Sequence, residues 1–138
     1  MKKVLVGGRF NLIHPGHIYF LEKARALGDY LVVVVASDQT IRNSGKEMIF
    51  PEEERKRMLE ALRAVNKAVI GYDISGVQGY LKIIREVKPD IIAVGYDQDF
   101  AGLKKLLEKE RIPARIVKIK NYKSLSTSSI VKNESVWD

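Results

Sequence analysis

The run Tyr30-Leu31-Val32-Val33-Val34-Val35-Ala36 constrains the fold of this chain more than any other segment. Branched Cβ atoms crowd a helix but suit a pleated strand. With no charged or amide side chain along the run, neither face of the strand suits water. A strand apolar on both faces belongs in a parallel sheet covered on both sides by helices. The flanking sequence has the matching alternation. Strands are predicted over residues 3–7, 30–36, 67–71, 91–95 and 114–119. Between them, Ile18, Leu21, Ala24 and Leu27 recur at helical spacing until Gly28 stops the pattern. Pro51 with Glu52, Glu53 and Glu54 suits the positive end of a second helix, whose apolar face is Met58, Leu59, Leu62 and Val65. Further helices are predicted over 77–87 and 102–109, a short one over 128–132, and a polar, basic loop over 37–50. Strand and helix alternation with short connections and no repeat predicts an α/β fold: a doubly wound, five-stranded parallel sheet, with residues 1–138 as one domain.

Ligands of such sheets bind beyond the carboxyl ends of the strands, where the strand order reverses. The loops that follow Val6, Ala36 and Val94 lie on that edge. Lysine and arginine outnumber aspartate and glutamate by 24 to 17, a net charge of +7 that favours anionic ligands. The basic residues are spread along the chain with no aromatic-interleaved motif, so nucleic acid is not an expected partner. The chain has no cysteine, which excludes disulfides and thiolate metal sites. Its longest apolar run is too short to span a bilayer, and no signal-peptide pattern follows Met1, so a cytoplasmic protein without a membrane partner is expected.

The first loop reads Gly7-Gly8-Arg9-Phe10-Asn11-Leu12-Ile13-His14-Pro15-Gly16-His17. The glycine pair lets backbone approach a ligand closely. Pro15 and Gly16 permit a sharp turn into a helix, whose first N–H groups are expected to hold an anion. The imidazoles of His14 and His17 can donate to phosphate oxygens at the same place. The plainer reading is a helix cap with two surface histidines, and a third is a zinc pair, which lacks a nearby third ligand. The conjunction of glycines, histidines and position after the first strand favours a phosphate site.

Gly8-Arg9-Phe10-Asn11 followed by His14-Pro15-Gly16-His17 resembles the G-x-F-D…H-x-G-H signature of the cytidylyltransferase-like nucleotidyltransferases. The resemblance continues through Ser37-Asp38, Pro51-Glu52-Glu53-Glu54-Arg55, Lys88-Pro89-Asp90 and Gly95-Tyr96-Asp97-Gln98 to Ser126-Thr127-Ser128-Ser129-Ile130. It implies a Rossmann-like fold and displacement at the α-phosphorus of a nucleoside triphosphate by a phosphorylated acceptor, with pyrophosphate leaving. His14 and His17 would contact the triphosphate, with His17 stabilising the transition state. Gly8 and Phe10 would lie against the nucleotide, and Gly16 would let the start of the helix approach it. A divalent metal ion such as magnesium would be bound mainly through substrate phosphates. Within the family, Gly95-Tyr96-Asp97-Gln98 with Phe100 looks most like the archaeal FAD synthetases, which adenylylate FMN from ATP; the glycerol-3-phosphate cytidylyltransferases, which use CTP, resemble it next.

The same resemblance suggests that Lys46, after Gly45, folds over the triphosphate, although a lysine there also suits plain solvation; Arg42 is a weaker candidate. Arg55 suits a local ion pair with Glu52 or a neighbour as well as a ligand. Asp38 suits a turn cap as well as a substrate contact. Asp97 can accept from ribose or base at the binding edge. Ser126, Thr127 and Ser128 can bind the β- and γ-phosphates or serve as an N-cap cluster. Arg9 stands where a small residue is common and adds a cation near the phosphates; Asn11 replaces the usual aspartate, and Asn121 falls where the glycerol-phosphate enzymes have an arginine. Three functions remain open at this point: transfer of AMP to FMN, transfer of CMP to a phosphorylated polyol, and a nucleotide-binding module without catalysis. Relatives are commonly homodimers, and Tyr19, Phe20 and Tyr80 suit either an interface or the core.

Overall fold

The computed structural model describes residues 1–73, 77–95 and 98–120. Five strands, β1 (Lys3–Gly8), β2 (Tyr30–Val35), β3 (Lys67–Ile70), β4 (Ile91–Val94) and β5 (Arg115–Lys118), form one sheet in the order β3-β2-β1-β4-β5. Every pair is parallel, with Val4 opposite both Leu31 and Ile91 in the register. The five expected strands are all present. The order reverses beside β1, so the crevice between the carboxyl ends of β1 and β4 is the place where this sheet binds ligands.

The alternation along the strands divides the core into two layers. Val4, Val6, Leu31, Val33, Val35, Ile91 and Ala93 point to one face. There they meet Leu21 and Ala24 of α1 (Pro15–Arg25) and Leu59 of α3 (Glu52–Glu60). Leu5, Val32, Val34, Ile92 and Val94 point to the other, against Ile83 and Ile84 of α4 (Val77–Val87) and Leu107 of α5 (Phe100–Lys109). Both faces of β2 are therefore covered, as its sequence requires. Phe20 packs against the first layer and Tyr80 against the second, so both serve the core.

The amino edge of the sheet satisfies itself. Asp29 Oδ2 accepts from Lys2 N–H and Asp90 Oδ2 from Lys3 N–H, each at 2.8 Å, while Lys3 Nζ donates to Val87 O. One element departs from expectation: the stretch read as a loop holds a short helix, α2 (Asp38–Asn43), capped by the Ser37 hydroxyl, which accepts from Thr40 N–H at 3.1 Å. The turn after it passes through Gly45 at φ 75°.

Candidate active site

Helix α1 begins at Pro15, ahead of the apolar periodicity that starts at Ile18, and this places His14 at the N-cap and His17 at the third helical position. The two imidazoles then perform the capping-box roles usually taken by serine and glutamate. His14 Nδ1 accepts from Gly16 N–H at 3.1 Å, and His17 Nδ1 accepts from His14 N–H at 3.3 Å. The rings stack with centroids 3.9 Å apart.

This geometry assigns the tautomer. A nitrogen that accepts from a backbone N–H carries no proton, so each neutral ring bears its proton on Nε2. The protons of the two stacked rings thereby lie on Nε2, that of His14 in a buried position. The cap also corrects one expectation. The first N–H groups of α1 do not offer themselves to an anion: Pro15 has none, Gly16 N–H is held by His14, and His17 N–H and Ile18 N–H donate to His14 O at 2.9 and 3.2 Å. The donors at this helix start are imidazole, not backbone. Gly16 is required by the same arrangement, because a Cβ there would lie 2.8 Å from His14 Cε1.

Phe10 holds the loop from below. It adopts φ 50°, an uncommon conformation for a bulky residue, and is only 3% exposed. Its ring reaches within 5.3 Å of the His17 ring and lies where a Cβ at Gly8 would sit 2.9 Å from Phe10 Cε2. Gly8 and Phe10 thus fit one another and orient His17. On the opposite face, Tyr80 of α4 fills the space beside Gly7, and burial pushes its phenol above the usual tyrosine range.

Two side chains that the sequence reading left undecided bind the loops of this edge together. Arg55 is fully buried on α3. Its Nε donates to Phe50 O at 2.8 Å, and Nη1 donates to Arg9 O at 2.9 Å and Ala36 O at 2.5 Å. Nη2 pairs with Asp38 Oδ1 at 2.9 Å. Arg55 therefore pairs with Asp38, not Glu52, and links the segments after β1, after β2 and before α3. Asp38 and Glu52 complete the joint reciprocally: Glu52 N–H donates to Asp38 Oδ1 and Asp38 N–H to Glu52 Oε1. Asn11, also fully buried, donates from Nδ2 to Glu47 O at 2.5 Å and accepts from Ile49 N–H at 3.1 Å. The segment that follows Lys46 is thereby docked on the loop that carries Phe10 and His14.

At the switch point, Gln98 Oε1 accepts from Gly95 N–H at 2.7 Å and its Nε2 donates to Gly7 O at 3.3 Å, joining the ends of β4 and β1. Arg9 is half-buried with its carbonyl held by Arg55, and Pro15 is exposed at the first helical position. Asp97, Ser126, Thr127 and Ser128 lie outside the described residues, as does the predicted helix over 128–132. Among the described residues, no group of three or more His, Cys, Asp or Glu side chains is placed to hold a metal ion. Likewise, no helix among them is long and apolar enough to cross a membrane.

A profile of the family described as cytidylyltransferase-like matches residues 5–133. The chain belongs to that family. It is 44% identical over 137 residues to the FAD synthase of Methanosarcina mazei, covering 96% of this chain and 87% of that one. With the FAD synthase of Thermoplasma acidophilum the identity is 42%, covering 97% and 94%. A crystal structure described as a lipopolysaccharide core biosynthesis protein from Thermoplasma volcanium superposes with a TM-score of 0.81 at 43% identity, over 88% of this chain and 98% of that one. Pantoate-beta-alanine ligase from Francisella tularensis shares the fold alone, with a TM-score of 0.66 at 16% identity over 94% and 67% of the two chains.

Proposed function

We propose that this chain is an FMN adenylyltransferase, which joins the AMP moiety of ATP to the phosphate of FMN and releases pyrophosphate. The observation that carries the reading is the stacked His14–His17 pair at the carboxyl edge of the sheet, each ring holding a backbone N–H through Nδ1. The choice of acceptor is supported by FAD synthases 42% and 44% identical over nearly the whole chain. An FMN phosphate oxygen attacks the α-phosphorus; the new P–O bond forms as the bridge to the β-phosphate breaks, and the electron pair leaves on pyrophosphate. A phosphate monoester has its second pKa near ~6, so the nucleophile is already ionised at neutral pH and needs no strong base. Positioning and charge stabilisation then supply the catalysis.

In this reading His14 and His17 donate to the oxygens on which charge develops, and Lys46 adds a cation over the triphosphate. Gly8, Arg9, Phe10, Pro15 and Gly16 shape the nucleotide side of the crevice, Asp97 receives ribose or base, and Ser126, Thr127 and Ser128 hold the outer phosphates. The imidazole Nδ1 atoms are taken by the helix cap, so a divalent ion fits as part of the metal–triphosphate substrate, where it neutralises phosphate charge. The chain works as a single domain, in a homodimer, in the cytoplasm.

Pyrophosphate release across ATP or CTP paired with FMN or glycerol 3-phosphate tests the proposal. Product from ATP and FMN alone is the expected result. Product only with CTP would overturn the flavin assignment, and tight nucleotide binding without product from any pair would leave a binding module.

A further inference from the structure

We propose that Asn11 is a positioning residue whose side-chain amide docks the loop carrying Lys46 onto the loop carrying Phe10 and His14, a task that an amide performs and a carboxylate does not. The amide behaves as a strand neighbour would. It donates to Glu47 O and accepts from Ile49 N–H, so both backbone groups of one short segment are met by one side chain. The two opposite contacts also fix which end of the amide is nitrogen, since a carbonyl oxygen requires a donor and an N–H an acceptor. Asn11 has no exposed surface, so water cannot substitute for either contact.

An aspartate at position 11 keeps the acceptor for Ile49 but sets a buried anion against Glu47 O, where the present donor lies at 2.5 Å. Relief comes only by moving the chain at Glu47, the residue next to Lys46. On the other side of Lys46 the chain has just turned through Gly45, and beyond Ile49 the Phe50 carbonyl is held by Arg55. The Lys46 segment is therefore anchored downstream at Glu47, Ile49 and Phe50, with Asn11 supplying two of the three anchors. The docking stands on this geometry alone; its bearing on turnover rests on the role proposed above for Lys46.

The test is a double-mutant cycle with hydrogen exchange. Asn11→Asp is expected to lower kcat about a hundredfold, the scale of an ångström-level misplacement, with KM for FMN changed by less than about threefold. In a Lys46→Ala background the same substitution is expected to lower kcat by less than about threefold, because the group it displaces is gone. Asn11→Ala removes both hydrogen bonds without adding charge, and is expected to raise amide exchange at Ile49 by about tenfold or more; it carries the kinetic cycle as well if the aspartate variant does not fold. Equal losses in both backgrounds, or unchanged exchange at Ile49, would overturn the proposal. A wild-type chain inert with every nucleotide and acceptor removes the reaction reading alone, and exchange at Ile49 then decides the docking.

Discussion

An imidazole has two nitrogens, and at His14 and His17 the cap of α1 takes one from each. That division separates two effects that alanine would confound. In His17→Asn the amide oxygen lies where Nδ1 now accepts from His14 N–H, so the cap is kept while the Nε2 donor is lost. Turnover is expected to fall about a hundredfold or more, with the urea midpoint close to that of the parent. His17→Ala should lose the donor and also about 1 kcal/mol of stability. An asparagine variant of near-parental rate, measured by pyrophosphate release, would refute the role of Nε2. The spacing of the two histidines was legible in the sequence because it coincides with N-cap and third helical positions. That the backbone N–H groups are withdrawn from the ligand was not legible, since it depends on the helix starting at Pro15.

Among the elements, α3 shows how burial escapes a reading by charge. Its first turn carries three glutamates, and Arg55 beside them reads as a local ion-pair partner or a ligand contact. The partners of Arg55 are instead carbonyls 5, 19 and 46 positions away and a carboxylate 17 positions away, a set assembled only by the sheet. Arg55→Met leaves those three carbonyls without their donor in a dry site and removes the charge opposite Asp38. A loss of about 3–5 kcal/mol is expected, read from urea unfolding, together with a marked fall in turnover as the loops after β1 and β2 separate. Helix α2 was missed for a related reason. Its six residues contain one buried apolar side chain, Ile41, too few to make a periodic stripe. The serine before it was the available sign, and Ser37 is indeed its cap. The strands posed no such difficulty: the valines of β2 are apolar on both sides of the pleat, and both sides are covered.

For the whole molecule, the two edges of the sheet are unlike. The amino edge closes on itself through Asp29 and Asp90, whereas the carboxyl edge gathers the imidazoles and the Asn11, Arg55 and Gln98 ties. A nucleotide that bridges these tied loops should stabilise the fold as one unit. At an ATP concentration a hundredfold above its Kd, unfolding is expected to become more costly by about 2.7 kcal/mol, seen as a single, upward-shifted thermal transition. No shift with ATP at that concentration would argue against a binding edge shared by these loops. The amino edge has a practical consequence. Met1 is 83% exposed, and β1 carries the chain from there through six residues to Gly8, just before the histidine loop. At about 3.3 Å per residue that strand is a rigid spacer of about 20 Å. A fluorophore placed ahead of β1 would then stand at a nearly fixed separation from an optically labelled nucleotide, so energy transfer between them could report occupancy without perturbing the edge that does the binding.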